Sequence, residues 1–512
     1  MPPTTNRNAE VQRRQVEILD ILSRCFQLDL AFLVDVTASM DPSIAMVRSG
    51  LQTIVQMIRG VYPRVKFRVA FVGYRDYADA SRLEVIGFQN IATDSDFSTW
   101  QRRIQSIRAT GGGDAAEDVF SGLEAVTQLQ WRSKGSRFLV HIADAPCHGL
   151  DYHGPKISDD YPAGDPRDIK QILAKLKNNL GIQVYLFAHL NNSTQMMVSK
   201  FKNAVSDGRD WLIDDMFSNI QNIPKRIASE ATQSISLTYE NAVKGSHLRV
   251  LPRTITLQEP KWSILPQSPV VQYILDIHMS ADRLVQLIQR RKKLRVVEFS
   301  GGEIKIAPDP FSSSGNCRWP FYAVLPQTDR NRAQFVVKRF KTGSHEKERY
   351  DIQTISSGIC AKLSRKFHFH ARAFPSYSSL SFVKVSTAKV TNPRNNSTAY
   401  YNLEKLLQGE FFKFNNNAGY VNIEKCNATM QAFSHWTYHF SKGVLMVTDL
   451  QGIYDSRNGK FWLSDPAIHC ECDLLNYGQT NLGYEGFKLF FETHRCNDIC
   501  RGLQLTPVTT LI

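Results

Sequence analysis

The sequence predicts a multidomain protein in which an α/β doubly wound domain is followed by an α+β domain. Three observations predict it. The chain has 512 residues, too many for one ordinary hydrophobic core. From residue 28 to about residue 230, short apolar runs alternate with helical stretches, the βαβ pattern of a largely parallel sheet covered by helices. From about Val296 the pattern changes to paired strands, one long helix and short late strands. The expected organisation is an N-terminal segment (1–27), the α/β domain (28–230), a linker or small β module (231–290) and the α+β domain (291–512).

Met1 to Asp20 is polar and lacks the apolar core of a secretory signal. Residues 30–34, 65–72, 138–142 and 182–188 are short apolar runs bounded by polar turns, so they predict strands. The periodicity of residues 44–58 and 168–179 predicts helices. Ile235-Ser236-Leu237-Thr238, Val250, Ile255 and residues 270–275 predict further short strands. The run Arg290-Arg291-Lys292-Lys293-Leu294-Arg295 marks a boundary and reads as a solvated helix end. Beyond it, residues 321–324 and 334–339 predict paired strands, and residues 349–366 predict a helix. Residues 444–448 predict a buried strand that runs into Asp449.

A hydrophobic content of 42% and a charged content of 21% are globular values. The excess of 62 Lys+Arg over 48 Asp+Glu, a formal +14, favours anionic partners such as nucleotides, acidic proteins or membrane surfaces. No module interleaving basic and aromatic residues is visible, so nucleic acid is not the expected partner. No run of about 18 apolar residues predicts a transmembrane segment. The nine cysteines are odd in number and spread along the chain, which suits a reducing compartment. The expected location is cytoplasmic, compatible with peripheral attachment to a membrane.

Asp35, Thr37 and Ser39 follow an apolar strand, on the loop where open α/β sheets bind ligands. One carboxylate and two hydroxyls at alternate positions suit Mg²⁺ or Mn²⁺ with a coordination position left open. Thr110-Gly111-Gly112-Gly113-Asp114, opening a helix, and Asp144, directly after a strand, strengthen this reading. The three segments resemble the metal-ion-dependent adhesion site of von Willebrand factor A domains over residues 28–230. The resemblance implies that Asp35, Thr37 and Ser39 are first-loop ligands and Asp144 the third-loop carboxylate. It implies a second-loop ligand at Asp114, with Thr110 the alternative. Glu117 and Asp118 read as acidic residues favouring a helix N-terminus.

The C-terminal domain lacks the His-Arg-Asp and Asp-Phe-Gly signatures of ordinary protein kinases. It nevertheless holds the parts that phosphoryl transfer needs: a fixed cation, magnesium ligands and a carboxylate for the attacking hydroxyl. Lys338 lies on a predicted strand, and Asp449 leaves a buried one. Gln451 follows two residues on, and Asp465 adds a hard oxygen ligand. His494, Cys496 and Cys500 offer three ligands of the kind tetrahedral Zn²⁺ prefers. His469-Cys470-Glu471-Cys472 is a local source for the fourth, although a polar loop residue is the plainer reading of His469.

The domain resembles the α-kinases, the atypical family that includes myosin heavy chain kinases and elongation-factor-two kinase. The match runs through Pro310-Phe311 to Gly315, Arg318, Val337-Lys338-Arg339-Phe340, Glu404, Gly409-x-Phe411-x-Lys413 and Asn415-Asn416-Asn417. It continues through Gln431-Ala432-Phe433-Ser434-His435, Asp449-Leu450-Gln451-Gly452 and Asn481-x-Gly483-x-x-Gly486. Together with the A-domain resemblance, the arrangement is that of the von Willebrand factor kinase type. It implies a two-lobed kinase domain in which Lys338 holds the α/β-phosphates, Glu404 meets the adenine and Arg318 touches phosphate. Asp449 is then the catalytic carboxylate, Gln451 and Asp465 bind magnesium, and His435 completes the zinc site.

A loop longer than the family's usual one separates Asp449 from Asp465, which brings Asp455 in as a possible sharer of the metal. The resulting expectation is an ATP-, Mg²⁺- and Zn²⁺-dependent Ser/Thr kinase with a protein substrate, whose A domain binds a protein ligand. The alternative is a catalytically inactive kinase fold that acts as a binding or scaffold protein through the A domain. Intact Lys338, Asp449, Gln451 and Asp465 argue against that alternative.

Overall fold

The computed structural model describes residues 4–205, 211–243, 256–276, 278–312, 318–326, 334–341, 345–422, 427–473 and 476–506. The chain divides into two compact units, one of residues 20–239 and one of residues 240–512 together with the first 19. Val250, Ile255 and Gly315 lie outside the described residues. The N-terminal segment is helical: α1 spans Thr4–Cys25 and buries Ile21, Leu22 and Cys25 at helical spacing.

The first unit is a six-stranded sheet of β1 (Gln27–Asp35), β2 (Lys66–Tyr74), β3 (Leu83–Asn90), β4 (Ser136–Ala143), β5 (Val184–His189) and β6 (Leu212–Met216). Its order is β3-β2-β1-β4-β5-β6, with every pairing parallel except the antiparallel edge strand β3. β1 is buried along almost its whole length, as expected of a strand covered on both faces. The helices are α2 (Asp41–Val61), α3 (Asp94–Gln105), α4 (Val119–Gln128), α5 (Leu150–His153), α6 (Ile169–Ala174), α7 (Gln195–Ala204) and α8 (Ile223–Val243). The predicted helix at 168–179 begins as α6, capped by Asp168, and continues as a π-helical turn over Lys175–Asn179.

Residues 235–238 are helical and not a strand. Ile223, Ile227, Ala231 and Ile235 recur every fourth residue and are all buried, so the β-branched stretch continues one helix face.

His141 sits at the centre of this unit, with its ring nitrogens 2.8 Å from the hydroxyls of Tyr74 and Tyr185. Burial pushes its pKa down to about 3. Because the folded state holds this imidazole neutral, the unfolded chain binds the extra proton below about pH 6.5. Stability should therefore fall as the pH drops from that point, by about 2–3 kcal/mol at pH 4.5. Thermal melts across this range should show a shallower acid slope for His141→Gln. An unchanged slope would assign the acid sensitivity to other groups.

The stretch 231–290, expected as a linker or small β module, is divided: residues 231–239 belong to the first unit, and the described residues from 256 onward belong to the second. β7 (Ser268–Leu275) pairs with strands that the sequence had placed in the following domain. The remaining strands of its barrel are β8 (Val296–Ile306), β9 (Arg318–Val324), β10 (Phe335–Phe340), β12 (Val385–Thr391) and β13 (Thr398–Lys405); β11 (Ser379–Phe382) lies in a second sheet. The barrel closes in the order β10-β13-β12-β7-β8-β9 around Val270, Ile304, Phe321, Val337, Ala388 and Leu403. α9 (Ala281–Gln289), capped by Ser280, presents Leu284, Val285 and Ile288 to a larger core shared with α10 (Lys347–Ala371).

The second sheet has the order β11-β17-β16-β14, where β14 is Phe412–Lys413, β16 Gln451–Asp455 and β17 Lys460–Ser464. β15 (Leu445–Thr448) and β18 (Ala467–Cys470) form a fully buried antiparallel pair. α11 (Ala428–Phe440), α12 (Tyr484–Thr493) and α13 (Asp498–Gly502) complete the unit. Among the described residues, no helix is long and apolar enough to cross a membrane.

Candidate active site and metal centres

Lys338 on β10 pairs in register with Asn402 on β13, which places Glu404, two residues along β13, on the same face. The Lys338 ammonium lies 2.5 Å from Glu404 Oε1 and 2.8 Å from Asp465 Oδ2. Burial opposes its charge, but Asp465 and Glu404 outweigh that and raise its pKa. Arg318 on β9 donates to Asp465 Oδ1 at 2.6 Å and to Asn402 Oδ1 at 2.8 Å. Burial alone would raise the pKa of Asp465; Arg318 and Lys338 instead hold it well below the carboxylate range. Glu404 borders the cavity, but its carboxylate is taken by Lys338 and by the Ser464 hydroxyl at 2.9–3.0 Å. Its side chain therefore anchors the lysine, while the residue itself still lines the cavity.

Asp449 follows the buried strand β15 and adopts φ 57°, and Asp465 between β17 and β18 adopts φ 53°. Left-handed backbone at two non-glycine residues is uncommon and turns both carboxylates out of their strands. Gln451 Nε2 bridges them, 3.4 Å from Asp449 Oδ2 and 3.3 Å from the Asp465 carbonyl. Lys413 Nζ stands 2.9 Å from Asp449 Oδ1.

The buried asparagines 415–417 have separate jobs. Asn415 Oδ1 accepts from the amide of Leu450, Asn416 Oδ1 from those of Ala418 and Tyr420, and Asn417 donates to the Thr480 carbonyl. Gly452 is obligatory, since a Cβ there would lie 2.0 Å from the Trp462 carbonyl across the β16–β17 pairing. A cavity of about 1390 Å³ opens here, lined by Glu404, Leu406, Phe335, Lys384 and Ile453. Asp455 lines the same cavity but stands apart from Gln451. It caps the β16–β17 turn through Arg457 N and Asn458 Nδ2, four residues, or roughly 13 Å of strand, from Gln451.

His435, His494, Cys496 and Cys500 bring one ligand atom each to within 4.8 Å of one another. His435 Nδ1 is 3.1 Å from His494 Nε2, and the sulfurs of Cys496 and Cys500 stand 3.8 and 3.7 Å from those nitrogens. Tetrahedral zinc with bonds of about 2.0–2.3 Å has ligand–ligand edges of roughly 3.3–3.8 Å, so the set fits. His435 Nε2 donates to the Thr506 carbonyl at 2.9 Å, which turns the lone pair of Nδ1 inward. Burial lowers both imidazoles, to about 4 for His435 and about 3 for His494, favouring the neutral form a metal needs. His469 is not a ligand: its Nε2 donates to the Asn417 carbonyl and its Nδ1 accepts from the Leu482 amide.

In the first unit, Asp35 Oδ1 accepts from the amide and hydroxyl of Thr37 at 2.9 and 2.6 Å. Ser39 is exposed beside it. Asp35 Oδ2, Asp144 Oδ1 and Glu117 Oε2 are all buried without a hydrogen-bond partner. Burial and the neighbouring Asp144 raise Asp35 to about 7, against its bonds from Thr37; burial and Asp35 raise Glu117 to about 10. Such crowding of carboxylates is what a bound cation would relieve.

Asp114 has other hydrogen-bond partners, although its charge also helps to raise Glu117. Its oxygens accept from the amides of Ala116 and Asp160, and it lies instead with Asp76 and His148. Thr110 is exposed. Glu117 is the residue that sequence reasoning missed. The helix starts only at Val119, with Asp118 as its cap, so Glu117 belongs to the loop, forms a β-bridge to Cys147 and lies near Asp35. Gly112 (φ 84°) makes room for it, since a Cβ would approach Glu117 Oε1 to 3.1 Å and Thr37 Cβ to 3.3 Å. The three-glycine run was the available signal that this loop packs closely on its neighbours.

Residues 313–500 match the α-kinase family. The α-protein kinase vwkA of Dictyostelium discoideum is 30% identical over 503 residues, covering 94% of this chain and 76% of that protein. The chain belongs to the α-kinase family, and it is a protein kinase. Shorter matches reach the mouse (Mus musculus) eukaryotic elongation factor 2 kinase, 40% identical over 107 residues (21% of this chain and 14% of that one). They also reach myosin heavy chain kinase B of D. discoideum, 38% identical over 115 residues (22% and 15%). Among solved structures, the α-kinase domain of myosin heavy chain kinase A with ADP is 23% identical, with a TM-score of 0.37, and the match covers 47% of this chain and 98% of that one.

Proposed function

We propose that this kinase transfers the γ-phosphate of ATP to serine or threonine hydroxyls of a protein substrate. The observation that carries the reading is the cluster of Lys338, Arg318, Asp449, Gln451 and Asp465, joined through Glu404 to a cavity of about 1390 Å³ that is large enough for a nucleotide. Lys338 and Arg318 hold phosphate oxygens. Asp449, oriented by Lys413, accepts the hydrogen bond of the attacking hydroxyl and takes its proton as the bond to phosphorus forms. Gln451 and Asp465 are the residues that would hold Mg²⁺, which supplies positive charge to the phosphate oxygens when bound. Transfer is mainly a matter of position and electrostatics, so held cations and one oriented carboxylate suffice. Incubation with labelled ATP, Mg²⁺ and a basic acceptor protein, followed by phosphoamino-acid analysis, tests this. Absence of transfer from folded protein would favour the inactive scaffold.

The first unit reads as a von Willebrand factor A domain whose cation is held by Asp35, Thr37, Ser39, Glu117 and Asp144. Its role is to dock a protein partner through an acidic side chain at the open position. The three unpartnered carboxylate oxygens support this reading. Asp35→Ala or Asp144→Ala should abolish stabilisation by added Mn²⁺ or Mg²⁺ in thermal melts. Turnover of a small diffusible acceptor should change less than about twofold, since these residues lie in the other compact unit. Loss of that turnover in folded Asp35→Ala would show that the two units are catalytically coupled. The four-ligand zinc site is structural in this reading, with no position open for substrate.

A further inference from the structure

The mechanism leaves one pair of thiols unused. Cys470 ends β18 and is fully buried, whereas Cys472, in the turn that follows, is partly exposed. Their sulfurs are 3.1 Å apart, closer than ordinary sulfur–sulfur contact and about 1 Å from bonding distance. Neither belongs to the zinc cluster. The turn is held at both ends. Asn481 Oδ1 accepts from the Cys470 amide, and its Nδ2 donates to the carbonyls of Cys470 and Asp473.

We propose that Cys470 and Cys472 form a reversible dithiol–disulfide site, oxidised by hydroperoxides, with Cys472 as the attacking sulfur and Cys470 as the resolving one. Accessibility assigns the roles, since an oxidant in solvent reaches Cys472 first. The electrostatics agree: the Cys470 thiol donates to Cys472, and this bond together with nearby Arg291 draws the Cys472 pKa below the usual thiol value, against burial and Asp473. The Cys472 thiolate attacks one peroxide oxygen and breaks the O–O bond. It becomes a sulfenic acid, and the departing hydroxide, or alkoxide from an organic hydroperoxide, leaves as water or alcohol after protonation. The Cys470 sulfur then attacks the sulfenic sulfur, forming the S–S bond and releasing the second oxygen, with the Cys470 proton, as water. Two thiols lose two electrons and two hydrogens to one peroxide, and a dithiol reductant reverses the change.

The first readout needs no variant. Cleavage after Lys460 and Lys488 yields a tryptic peptide, 461–488, that contains only these two cysteines, while Cys496 and Cys500 fall in the separate peptide 496–501. After graded hydrogen peroxide on the folded full chain, peptide 461–488 should lose two hydrogens in mass and resist iodoacetamide. Dithiothreitol should restore it. In Cys470→Ser, Cys472 should accumulate as a sulfenic acid trapped by dimedone; in Cys472→Ser, peptide 461–488 should stay unoxidised at the same dose. Both cysteines remaining alkylatable at doses that oxidise peptide 496–501 would overturn the proposal. So would separate over-oxidation of the two sulfurs without a disulfide.

Discussion

Asp449→Asn is expected to lower phosphoryl transfer by roughly 10²–10⁴-fold, or about 3–5 kcal/mol of transition-state stabilisation, while changing nucleotide affinity little. Asparagine is the better probe than alanine because it tolerates the left-handed backbone found there (φ 57°) and keeps the side-chain shape. The lost group would orient the hydroxyl and receive its proton; the phosphates would still meet Lys338 and Arg318. Lys338→Ala should differ by weakening both nucleotide binding and transfer. It removes the cation between Glu404 and Asp465, leaving two carboxylates facing each other at the site meant for phosphate. Transfer to a basic acceptor, measured beside binding of a fluorescent nucleotide, separates the two effects. Normal turnover by folded Asp449→Asn would remove the catalytic role from this residue.

Cys496→Ala and Cys500→Ala are each expected to yield insoluble or misfolded protein, not a cleanly folded enzyme with altered kinetics. Structural zinc contributes about 10–16 kcal/mol of apparent binding energy, comparable to the whole 5–15 kcal/mol stability of a typical domain. The cluster ties α11, which carries His435, to the segment that includes α13 and Cys500. Without the cation, two imidazole nitrogens would face each other at 3.1 Å in a buried site. Elemental analysis of purified protein should find about one zinc per chain for one closed set of ligands. Active protein containing no zinc would falsify the site.

Local patterns were readable wherever one strand or helix carries its own signal. The alternation of apolar runs predicted the parallel sheet and placed Asp35 and Asp144 at strand ends. A lysine on a β-strand and a carboxylate leaving a buried strand were likewise visible in the chain, at Lys338 and Asp449. The proposed zinc ligands His494, Cys496 and Cys500 were legible because their spacing is local; His435, nearly sixty residues earlier, came only through the family resemblance.

Periodicity and spacing describe how a segment is built, not which distant segment it meets. The tertiary structure alone decided that β7 closes the barrel of the second unit, because a short amphipathic strand has no register until its partners are in place. It alone decided that residues 235–238 continue a helix, since burial of a four-residue repeat overrides a weak β preference. The same holds for Glu404, drawn to Lys338 and Ser464, and for Glu117, whose buried, unbonded oxygen makes it a proposed ligand beside Asp35. Asp114 and Glu117 sit three residues apart on one loop with the same charge. Only the fold of that loop determined that amide donors satisfy the first, while an oxygen of the second is left buried without a hydrogen bond near Asp35.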